Sequence, residues 1–335
     1  MKKILVTGGL GFIGSHTVVE LQKSGFEVVI IDNLSNSRID VLDKIISITN
    51  IKPDFHQLDL RIKSDVKAFF ETCSIDGIIH FAASKAVGES VLKPLKYYEN
   101  NIGTLVYLLQ EMKDRNIDNF IFSSSCTVYG QADELPITEN APLKPAESPY
   151  GETKQIGEKI IKENCIANNK NAIALRYFNP IGAHKSAKIG ELPLGIPQNL
   201  IPYVVQTAAG IRECLSIFGD DYDTPDGTAI RDYIHVVDLA KAHIAALNRL
   251  LNNQNKANCE FFNIGTGTGS SVLEVVKAFE SATGKNVNYK IVDRRAGDIT
   301  AAYANTTLAN KELNWKAELG LEEALRSSWK WQESL

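Results

Sequence analysis

The sequence lacks the features that define membrane, metal-binding and disulfide-stabilised proteins. No stretch reaches the roughly eighteen consecutive apolar residues of a membrane-spanning helix, so we expect no membrane association. The 5 cysteines are odd in number and none forms a Cys-x-x-Cys pair, and the 6 histidines show no metal-binding spacing. We therefore predict no metal site, no disulfide framework and a reducing, cytoplasmic location.

A strong excess of charge of one sign is also absent. The 335 residues include 36 Lys and Arg against 40 Asp and Glu, mixed along the chain, and the formal net charge is -4. A surface that binds nucleic acid needs clustered positive charge, so we expect no nucleic-acid partner. A hydrophobic content of 44% at this length is enough to build a sizeable core.

Short runs rich in Ile and Val alternate with amphipathic stretches through the first half of the chain. Such runs are typical of parallel strands buried on both faces, and their alternation with helices predicts an α/β fold with a doubly wound parallel Rossmann sheet. We predict strands at 4–7, 27–31, 77–81, 119–123, 172–177 and 261–264, and a third strand in sequence that ends near Asp59. We predict helices at 12–24, 38–48, 64–72, 95–114, 149–168, 199–209, 236–251, 271–282 and 321–333.

The composition changes near residue 180. Residues 180–232 are rich in Pro, Gly and Asp, which is typical of a loop-rich region that binds a substrate. We predict an NAD-binding domain at 1–180 and a smaller C-terminal α/β substrate domain at 181–335. A segment at about 232–250 is expected to pack back on the first domain.

A glycine-rich turn follows the first predicted strand, where residues 7–14 read T-G-G-L-G-F-I-G. Glycines at this spacing permit a tight turn, close approach of the backbone to a pyrophosphate, and close packing of the next helix on the strand. The second strand ends in Asp32, which would accept hydrogen bonds from ribose hydroxyls and repel a 2′-phosphate. Together these features predict an NAD site; the alternative is a glycine-rich turn beside a solvated aspartate.

Tyr150 and Lys154 lie four residues apart in a predicted helix and so share one of its faces. Near the helix N-terminus, the helix dipole and the Lys154 charge both favour the phenolate and lower the pKa of Tyr150 from its usual value of about 10. The preceding strand ends in three serines, and the hydroxyl of Ser125 is placed to reach the same substrate oxygen. The pair is then a proton-transfer site; the alternative is two surface residues on an amphipathic helix.

Motifs along the whole chain resemble those of the extended short-chain dehydrogenase/reductases, and most closely those of UDP-galactose 4-epimerases. The glycine motif and the Tyr-x-x-x-Lys pair are shared by the superfamily. The stretches K-A-V-G-E-S at 85–90 and Y-F-N-P at 177–180 point more narrowly to the epimerases. Further matching stretches are D-N-L-S-N at 32–36, S-S-S-C-T-V-Y-G at 123–130, G-I-P-Q-N-L at 195–200, R-D-Y-I-H at 231–235 and R-A-G-D at 295–298.

The resemblance implies a set of site residues. Tyr150 is the implied catalytic base and acid, Lys154 its electrostatic partner and Ser125 the helping hydroxyl. The residues implied to bind NAD are Gly8, Gly11, Phe12, Ile13, Gly14, Asp32, Asn33, Asn36, Asp59, Leu60, Phe81, Lys85, Asn100, Ser123, Tyr150, Lys154 and Tyr177. Those implied to bind the UDP-sugar are Lys85, Ser125, Asn179, Asn199, Leu200, Phe218, Arg231, Arg295, Asp298 and Ala302. For both Arg231 and Arg295 the alternative is a surface ion pair, such as one between Arg231 and its neighbour Asp232.

The implied activity is the interconversion of UDP-glucose and UDP-galactose, in galactose metabolism, with bound NAD. Tyr150 takes the 4-hydroxyl proton while C4 gives its hydride to NAD. The 4-keto sugar turns over with the UDP anchored, and hydride and proton then return on the other face. The resemblance also implies a homodimer, formed through the helices at 95–114 and 149–168, although their apolar faces are alternatively core.

Two positions bear on the choice of reaction and substrate. Related 4,6-dehydratases carry an Asp-Glu pair after the three serines at 123–125, which we call the serine turn. This chain has Cys126 and Thr127 there instead, which argues against dehydration. Ala302 takes a position where a bulky Tyr favours plain hexoses, so we hypothesise that UDP-GlcNAc and UDP-GalNAc are also substrates. The alternatives are a UDP-uronate 4-epimerase or another nucleotide-sugar oxidoreductase of this fold, and a non-catalytic NAD-sensing protein.

Overall fold

A parallel sheet of seven strands runs through the middle of the fold and confirms the doubly wound α/β architecture. The computed structural model describes residues 1–295 and 297–335. In chain order the strands are β1 (Lys3–Thr7), β2 (Glu27–Asp32), β3 (Asp54–Gln57), β4 (Gly77–His80), β5 (Asn119–Ser123), β6 (Asn171–Tyr177), β7 (Asn179–Ile181), β8 (Leu215–Phe218), β9 (Ile230–Arg231), β10 (Tyr233–His235), β11 (Cys259–Ile264), β12 (Ser270–Ser271), β13 (Tyr289–Val292) and β14 (Ala301–Ala302). The large sheet has the order β11-β6-β5-β4-β1-β2-β3.

Most of the predicted helices lie close to their observed positions, whereas the short helices at Val87–Leu92 and Thr307–Glu312 were not predicted. The observed helices are α1 (Phe12–Lys23), α2 (Asp40–Thr49), α3 (Lys63–Thr72), α4 (Val87–Leu92), α5 (Pro94–Tyr97), α6 (Thr104–Asp114), α7 (Pro149–Asn168), α8 (Leu200–Ala208), α9 (Val236–Leu251), α10 (Val272–Thr283), α11 (Thr307–Glu312) and α12 (Leu321–Glu333). Between β5 and α7, a short 3₁₀ turn covers Cys126–Tyr129.

The helix predicted at 95–114 is interrupted, because a π-helical segment at Tyr98–Gly103 separates α5 from α6. Within this segment the buried amide of Asn101 donates to the Ser84 carbonyl and to the Thr153 hydroxyl, both at 3.0 Å. A wide turn of this kind often re-aims a side chain at a functional site. Hydrophobic periodicity does not report such a break, so the prediction of one continuous helix was wrong.

The sheet is buried on both faces, as its Ile- and Val-rich strands predict. Along β1, Ile4 and Val6 belong to a core cluster that includes residues of α1 and α9, whereas Leu5 points into a second cluster with residues of α3 and α6. A third cluster joins α8, α10 and α12. Because successive side chains of a strand alternate between faces, one strand contributes to two cores.

The second half of the chain also contributes to the main sheet. Strand β11 pairs in parallel with β6, and helix α9 packs against α1. The remaining strands form three small sheets, with orders β10-β7, β12-β9-β14 and β13-β8. These strands are only two to four residues long. Periodicity cannot be read over so few residues, and therefore the sequence indicated only loops there.

None of the helices in the described part of the chain combines the length and apolar character needed to cross a membrane. All five cysteines are free thiols. Among residues 1–295 and 297–335, no group of three or more His, Cys, Asp and Glu side chains is arranged to hold a metal ion.

Helix α10 begins with a complete capping box, and this gives a stability prediction. The Ser271 hydroxyl accepts the Glu274 N–H at 3.0 Å, while the Glu274 carboxylate accepts the Ser271 N–H at 2.8 Å. Replacing Ser271 with Ala leaves the Glu274 N–H without its acceptor, so we expect the free energy of unfolding to fall by about 1 kcal/mol. Denaturant unfolding measures it, and Ser281→Ala, at an exposed site of the same helix, is the control. Equal stability of both variants would contradict the prediction.

Candidate active site

The glycine turn between β1 and α1 leaves space for a ligand that approaches the backbone itself. Gly8 has a φ of +69°, and a Cβ placed there would lie 3.0 Å from the Ala82 nitrogen. A Cβ on Gly14 would lie 2.2 Å from the carbonyl oxygen of Gly8. Only glycine fits such positions. Helix α1 begins at Phe12, and its N-cap residue, Gly11, has no side chain to cap the first N–H groups. The turn therefore fits the diphosphate of NAD.

Asp32 ends β2 directly beside this turn. Its carboxylate accepts the Leu10 N–H at 3.1 Å, the Leu34 N–H at 2.9 Å and the Ser37 hydroxyl at 2.7 Å. The side chain thus holds the glycine turn and the loop after β2 together, in the place where the sequence predicted the ribose-binding acid.

The next predicted NAD residues lie along the same edge of the sheet. The Asn33 amide donates to Asp59 at 3.3 Å, and the Arg61 guanidinium beside Asp59 lowers the pKa of that carboxyl to about 2. Leu60 is buried and Asn36 is exposed. Strand β3 ends at Gln57, so Asp59 and Leu60 follow the strand by two and three residues instead of ending it.

Four further predicted NAD residues come from other elements. Tyr177, at the end of β6, forms a 2.6 Å hydrogen bond with the hydroxyl of Ser123, at the end of β5. The Phe81 ring, directly after β4, lies 4.7 Å from the ring of His243. The side-chain amide of Asn100, in the π-helical segment, donates to the side-chain oxygen of Asn101 at 3.0 Å. The carboxyl ends of β4, β5 and β6 therefore meet the glycine turn at one edge of the sheet, as in other parallel α/β folds.

Tyr150 and Lys154 lie in the first turns of α7, with the serine turn facing them. Ser148 caps the helix by accepting the Gly151 N–H at 3.2 Å. The Lys154 ammonium donates to the Ser123 carbonyl at 2.6 Å and lies 5.8 Å from the centre of the Tyr150 ring. Tyr150, Lys154 and Ser125 are all buried. The structure thus brings together the three predicted catalytic residues.

The protonation of this group differs from the sequence-based expectation. Burial raises the pKa of Tyr150, and the Ser125 hydroxyl opposes the shift through a hydrogen bond. Burial also lowers the pKa of Lys154 to about 8. The expected lowering of the Tyr150 pKa was therefore wrong. Desolvation outweighs the helix dipole, and the ammonium is directed at the Ser123 carbonyl.

Three of the predicted UDP-sugar residues, Arg231, Arg295 and Asp298, form a charged group in the second half of the chain. The Arg295 guanidinium donates to the Asp298 carboxylate at 2.7 Å, and that of Arg231 lies 3.8 Å from the same carboxylate. Arg295 also lies over the exposed ring of Phe218, 5.6 Å from its centre. The motif at 295–298 includes Ala296, which lies outside the described residues.

Both arginines form an ion pair with Asp298, so the alternative was wrong only in naming Asp232 as the partner of Arg231. Asp232 is fully buried and accepts the N–H groups of Thr266 at 2.8 Å and Gly267 at 3.0 Å. Its carboxylate therefore organises a loop and forms no ion pair with Arg231. Arg231 keeps a partly open guanidinium that is suited to a diphosphate.

Ala302 lies next to Arg231, because β14 pairs in parallel with β9 in that register. The Ala302 side chain is 2% exposed and packs in a cluster with Val128 and Tyr129, which follow the serine turn. Cys126, the residue after Ser125, packs against the same cluster. Hence the small side chain at 302 is close to the segment that carries the predicted catalytic serine.

Lys85 and Asn199 are joined by a residue that the sequence did not indicate. The Glu191 carboxylate accepts the Asn199 amide at 2.6 Å and the Lys85 ammonium at 3.2 Å. Asn199 precedes helix α8, which begins at Leu200. Asn179 begins β7, and its backbone N–H donates to the backbone carbonyl of Asp232.

A second residue that sequence reasoning missed is Glu158. It lies four residues after Lys154 on α7, as Lys154 does after Tyr150, so the spacing could have indicated it. Asn101 carried no comparable signal, because its role depends on the π-helical segment.

Comparison with known proteins places the chain in a family. A family model described as GDP-mannose 4,6 dehydratase matches residues 5–328. A UDP-glucose 4-epimerase of Bacillus subtilis (strain 168) is 51% identical over 332 residues, which cover 99% of this chain and 97% of the relative.

Two solved structures are similar over almost their whole length. The UDP-glucose-4-epimerase of Stenotrophomonas maltophila with bound NAD and formylated UDP-arabinopyranose has a TM-score of 0.96 and 46% identity, covering 100% of this chain and 98% of that one. The UDP-glucose 4-epimerase of Bifidobacterium longum in complex with NAD+ and UDP has a TM-score of 0.95 and 47% identity, covering 99% and 98%. With its glycine turn, its Tyr-x-x-x-Lys helix and this identity over nearly every residue, the chain belongs to the UDP-glucose 4-epimerase family of extended short-chain dehydrogenase/reductases.

Proposed function

We propose that this chain is an NAD-dependent epimerase that interconverts UDP-glucose and UDP-galactose at C4 of the sugar. The observation that carries the proposal is the buried group of Tyr150, Lys154 and Ser125 at the edge of the sheet where the glycine turn fits NAD. The family relatives, named for the same reaction, support it.

In the proposed reaction each residue has a separate task. NAD, when bound, supplies a hydride acceptor and donor for the sugar carbon. Tyr150 takes the proton of the 4-hydroxyl and later returns it, and the Ser125 hydroxyl hydrogen-bonds the same oxygen. Lys154, held by the Ser123 carbonyl, provides positive charge that favours the phenolate. Arg231 holds the diphosphate while the sugar ring presents its other face.

Dehydration fits the site poorly, although the matching family model is named for a dehydratase. Elimination of water needs an acid and a base after the serine turn. Cys126 and Thr127 occupy those positions, and burial raises the pKa of the Cys126 thiol to about 11. A neutral thiol and a hydroxyl cannot replace a carboxylate pair, so we favour epimerisation.

We propose a division of the chain into two parts. Residues 1–180 hold NAD through the glycine turn and Asp32, and residues 181–335 hold the UDP-sugar through Arg231, Arg295 and their neighbours. Helix α9 and strand β11 belong to the second part by sequence but join the first part in the fold. Helix α9 packs against the main sheet, and β11 is one of its strands.

Replacing Tyr150 with Phe tests the proposed chemistry. We expect the purified chain to convert UDP-galactose to UDP-glucose with no consumption of added cofactor. Without the phenol, kcat should fall at least about a hundredfold, because no proton acceptor remains. Chromatography of the products measures the conversion.

Arg231→Ala is the matched control, because Arg231 lies in the proposed sugar-binding part. It should raise KM for UDP-galactose and leave the content of bound NAD unchanged. A wild-type chain that converts no UDP-galactose with NAD supplied, or that consumes NADH stoichiometrically, would favour a UDP-uronate epimerase or a net reductase. Binding of NAD with no turnover of any UDP-sugar would favour an NAD-sensing protein.

We propose that the enzyme also accepts UDP-GlcNAc and UDP-GalNAc, because the residue that lies beside Arg231 in the paired strands, Ala302, is small. Ala302→Tyr should lower turnover of the acetylated sugars by at least about tenfold and spare UDP-galactose, since a bulky side chain fills the space that the N-acetyl group needs. Ala302→Ser, which keeps the side chain small, is the control and should retain both. Equal loss on both kinds of sugar after the Tyr substitution would sink the idea.

We further propose that the enzyme acts in the cytoplasm as a homodimer formed through α6 and α7. Ile166 on α7 is 64% exposed. A groove between the two helices is lined by the apolar Val106, Leu109 and Ile160 and by the polar Gln110, Lys113, Asn164 and Asn168. A second copy would cover these apolar groups. Analytical ultracentrifugation should then give about twice the chain mass of 36.9 kDa. Sedimentation at the single-chain mass at micromolar concentration would exclude this dimer.

A further inference from the structure

A buried ion pair lies directly behind the serine turn and has no part in the proposed proton transfer. The Arg176 guanidinium donates to the two carboxylate oxygens of Glu158, at 2.7 Å and 2.9 Å. The side chains are 5% and 4% exposed. Desolvating two charges is costly even when they are paired. Two nitrogens of the guanidinium bind the two carboxylate oxygens, so the geometry of the pair is fixed. Such a fixed pair suggests that it positions neighbouring residues in addition to any effect on stability.

Arg176 ties the pair to three other parts of the fold. Its remaining nitrogen donates to the Tyr129 hydroxyl at 3.0 Å and to the Glu139 carbonyl at 3.3 Å. The Tyr129 hydroxyl in turn donates to the Asn263 side chain at 2.6 Å. The guanidinium is thus fixed from β6 by the 3₁₀ turn, by a loop and, through Tyr129, by β11.

Glu158 carries this rigidity to the serine turn. The Ser124 hydroxyl donates to the Glu158 carboxylate at 2.6 Å. On one side of Ser124, the Ser123 carbonyl accepts the Lys154 ammonium at 2.6 Å. On the other side stands Ser125, the proposed helping hydroxyl. Since the three serines are consecutive, a fixed middle residue determines where its neighbours point.

The charge of Glu158 also acts on Lys154, four residues before it on α7. Burial lowers the pKa of Lys154 to about 8, and the Glu158 carboxylate opposes that shift. The other titratable groups close to the ammonium are Tyr150 on the same helix and His80 from β4, whose pKa burial lowers to about 3. Arg176, from β6, is paired with the carboxylate. Among the titratable groups of the described residues near the ammonium, Glu158 is therefore the one that favours the charged amine.

We propose that Glu158, held by Arg176, is a positioning residue for the proton transfer. Through Ser124 it fixes the serine turn against Tyr150 and Lys154, and its charge keeps Lys154 cationic. The inference rests on the proposed function, because its readout is the epimerase reaction.

Ser124→Ala tests the positional part. The variant keeps the ion pair and both neighbouring serines, and it removes only the hydrogen bond to Glu158. We expect kcat for UDP-galactose to fall about tenfold or more, because small displacements of catalytic groups are costly, while KM stays within about twofold. An unchanged kcat would overturn the proposal.

Glu158→Gln tests the charge. Without the carboxylate the pKa of Lys154 falls, so Lys154 loses its charge at a lower pH. In the pH profile of kcat, we expect the alkaline limb to shift to lower pH by about half a unit or more. Glu163→Gln, at an exposed position of the same helix, should leave the limb unmoved. The double variant Glu158→Gln with Arg176→Gln lacks the unpaired arginine, and its limb should lie between those of the single variant and the wild type.

If Glu158→Gln alone fails to fold, because Arg176 is left buried without a partner, the double variant carries the pH measurement. A purely structural role would lower thermal stability in these variants and leave the limb at its wild-type pH, which would overturn the proposal. A wild-type chain without epimerase activity would instead count against the proposed function. If the wild type is active and the variants keep its alkaline limb, the result counts against the proposed role of Glu158 and leaves the proposed function intact.

Discussion

The lack of space at Gly14 constrains the whole nucleotide-binding edge of the sheet. A Cβ added to this residue would lie only 2.2 Å from the carbonyl oxygen of Gly8. Because no side chain fits there, α1 starts close against β1, and its first N–H groups face the space above the sheet. Asp32 then connects this turn to the loop after β2. The strand ends that carry Phe81, Ser123 and Tyr177 lie along the same edge, so the cofactor-side and catalytic residues share one boundary of the sheet.

Burial sets the protonation of the proposed catalytic group, Tyr150, Lys154 and Ser125, as much as residue identity does. Desolvation raises the pKa of Tyr150 and lowers that of Lys154, so each shift disfavours the charged form of its own group. A working proton acceptor therefore needs nearby groups that restore charge to the site. Among the protein's own residues, Ser125 stabilises the phenolate and Glu158 the ammonium. The serine turn is where these influences meet, because each of its three residues has a different partner.

The second half of the chain supplies the part of the site that is expected to recognise the sugar nucleotide. Its short strands are held by a few buried polar groups, of which Asp232 is the clearest example. By organising the loop at 265–267 and the backbone at Ala304, Asp232 leaves Arg231 free to pair loosely with Asp298. Glu191 plays a similar part for Lys85 and Asn199, which come from opposite halves of the sequence.

The sequence by itself determined the parallel sheet, most helix positions, the glycine turn with Asp32, and the Tyr150–Lys154 face. These features depend on local periodicity and on spacings within one or two elements, which the amino-acid order carries directly. Tertiary structure decided the π-helical break at Asn101, the direction of the Tyr150 pKa shift, the partner of Arg231 and the bridge through Glu191. Each of these depends on desolvation or on hydrogen bonds between residues far apart in the chain, and neither is encoded in any local pattern.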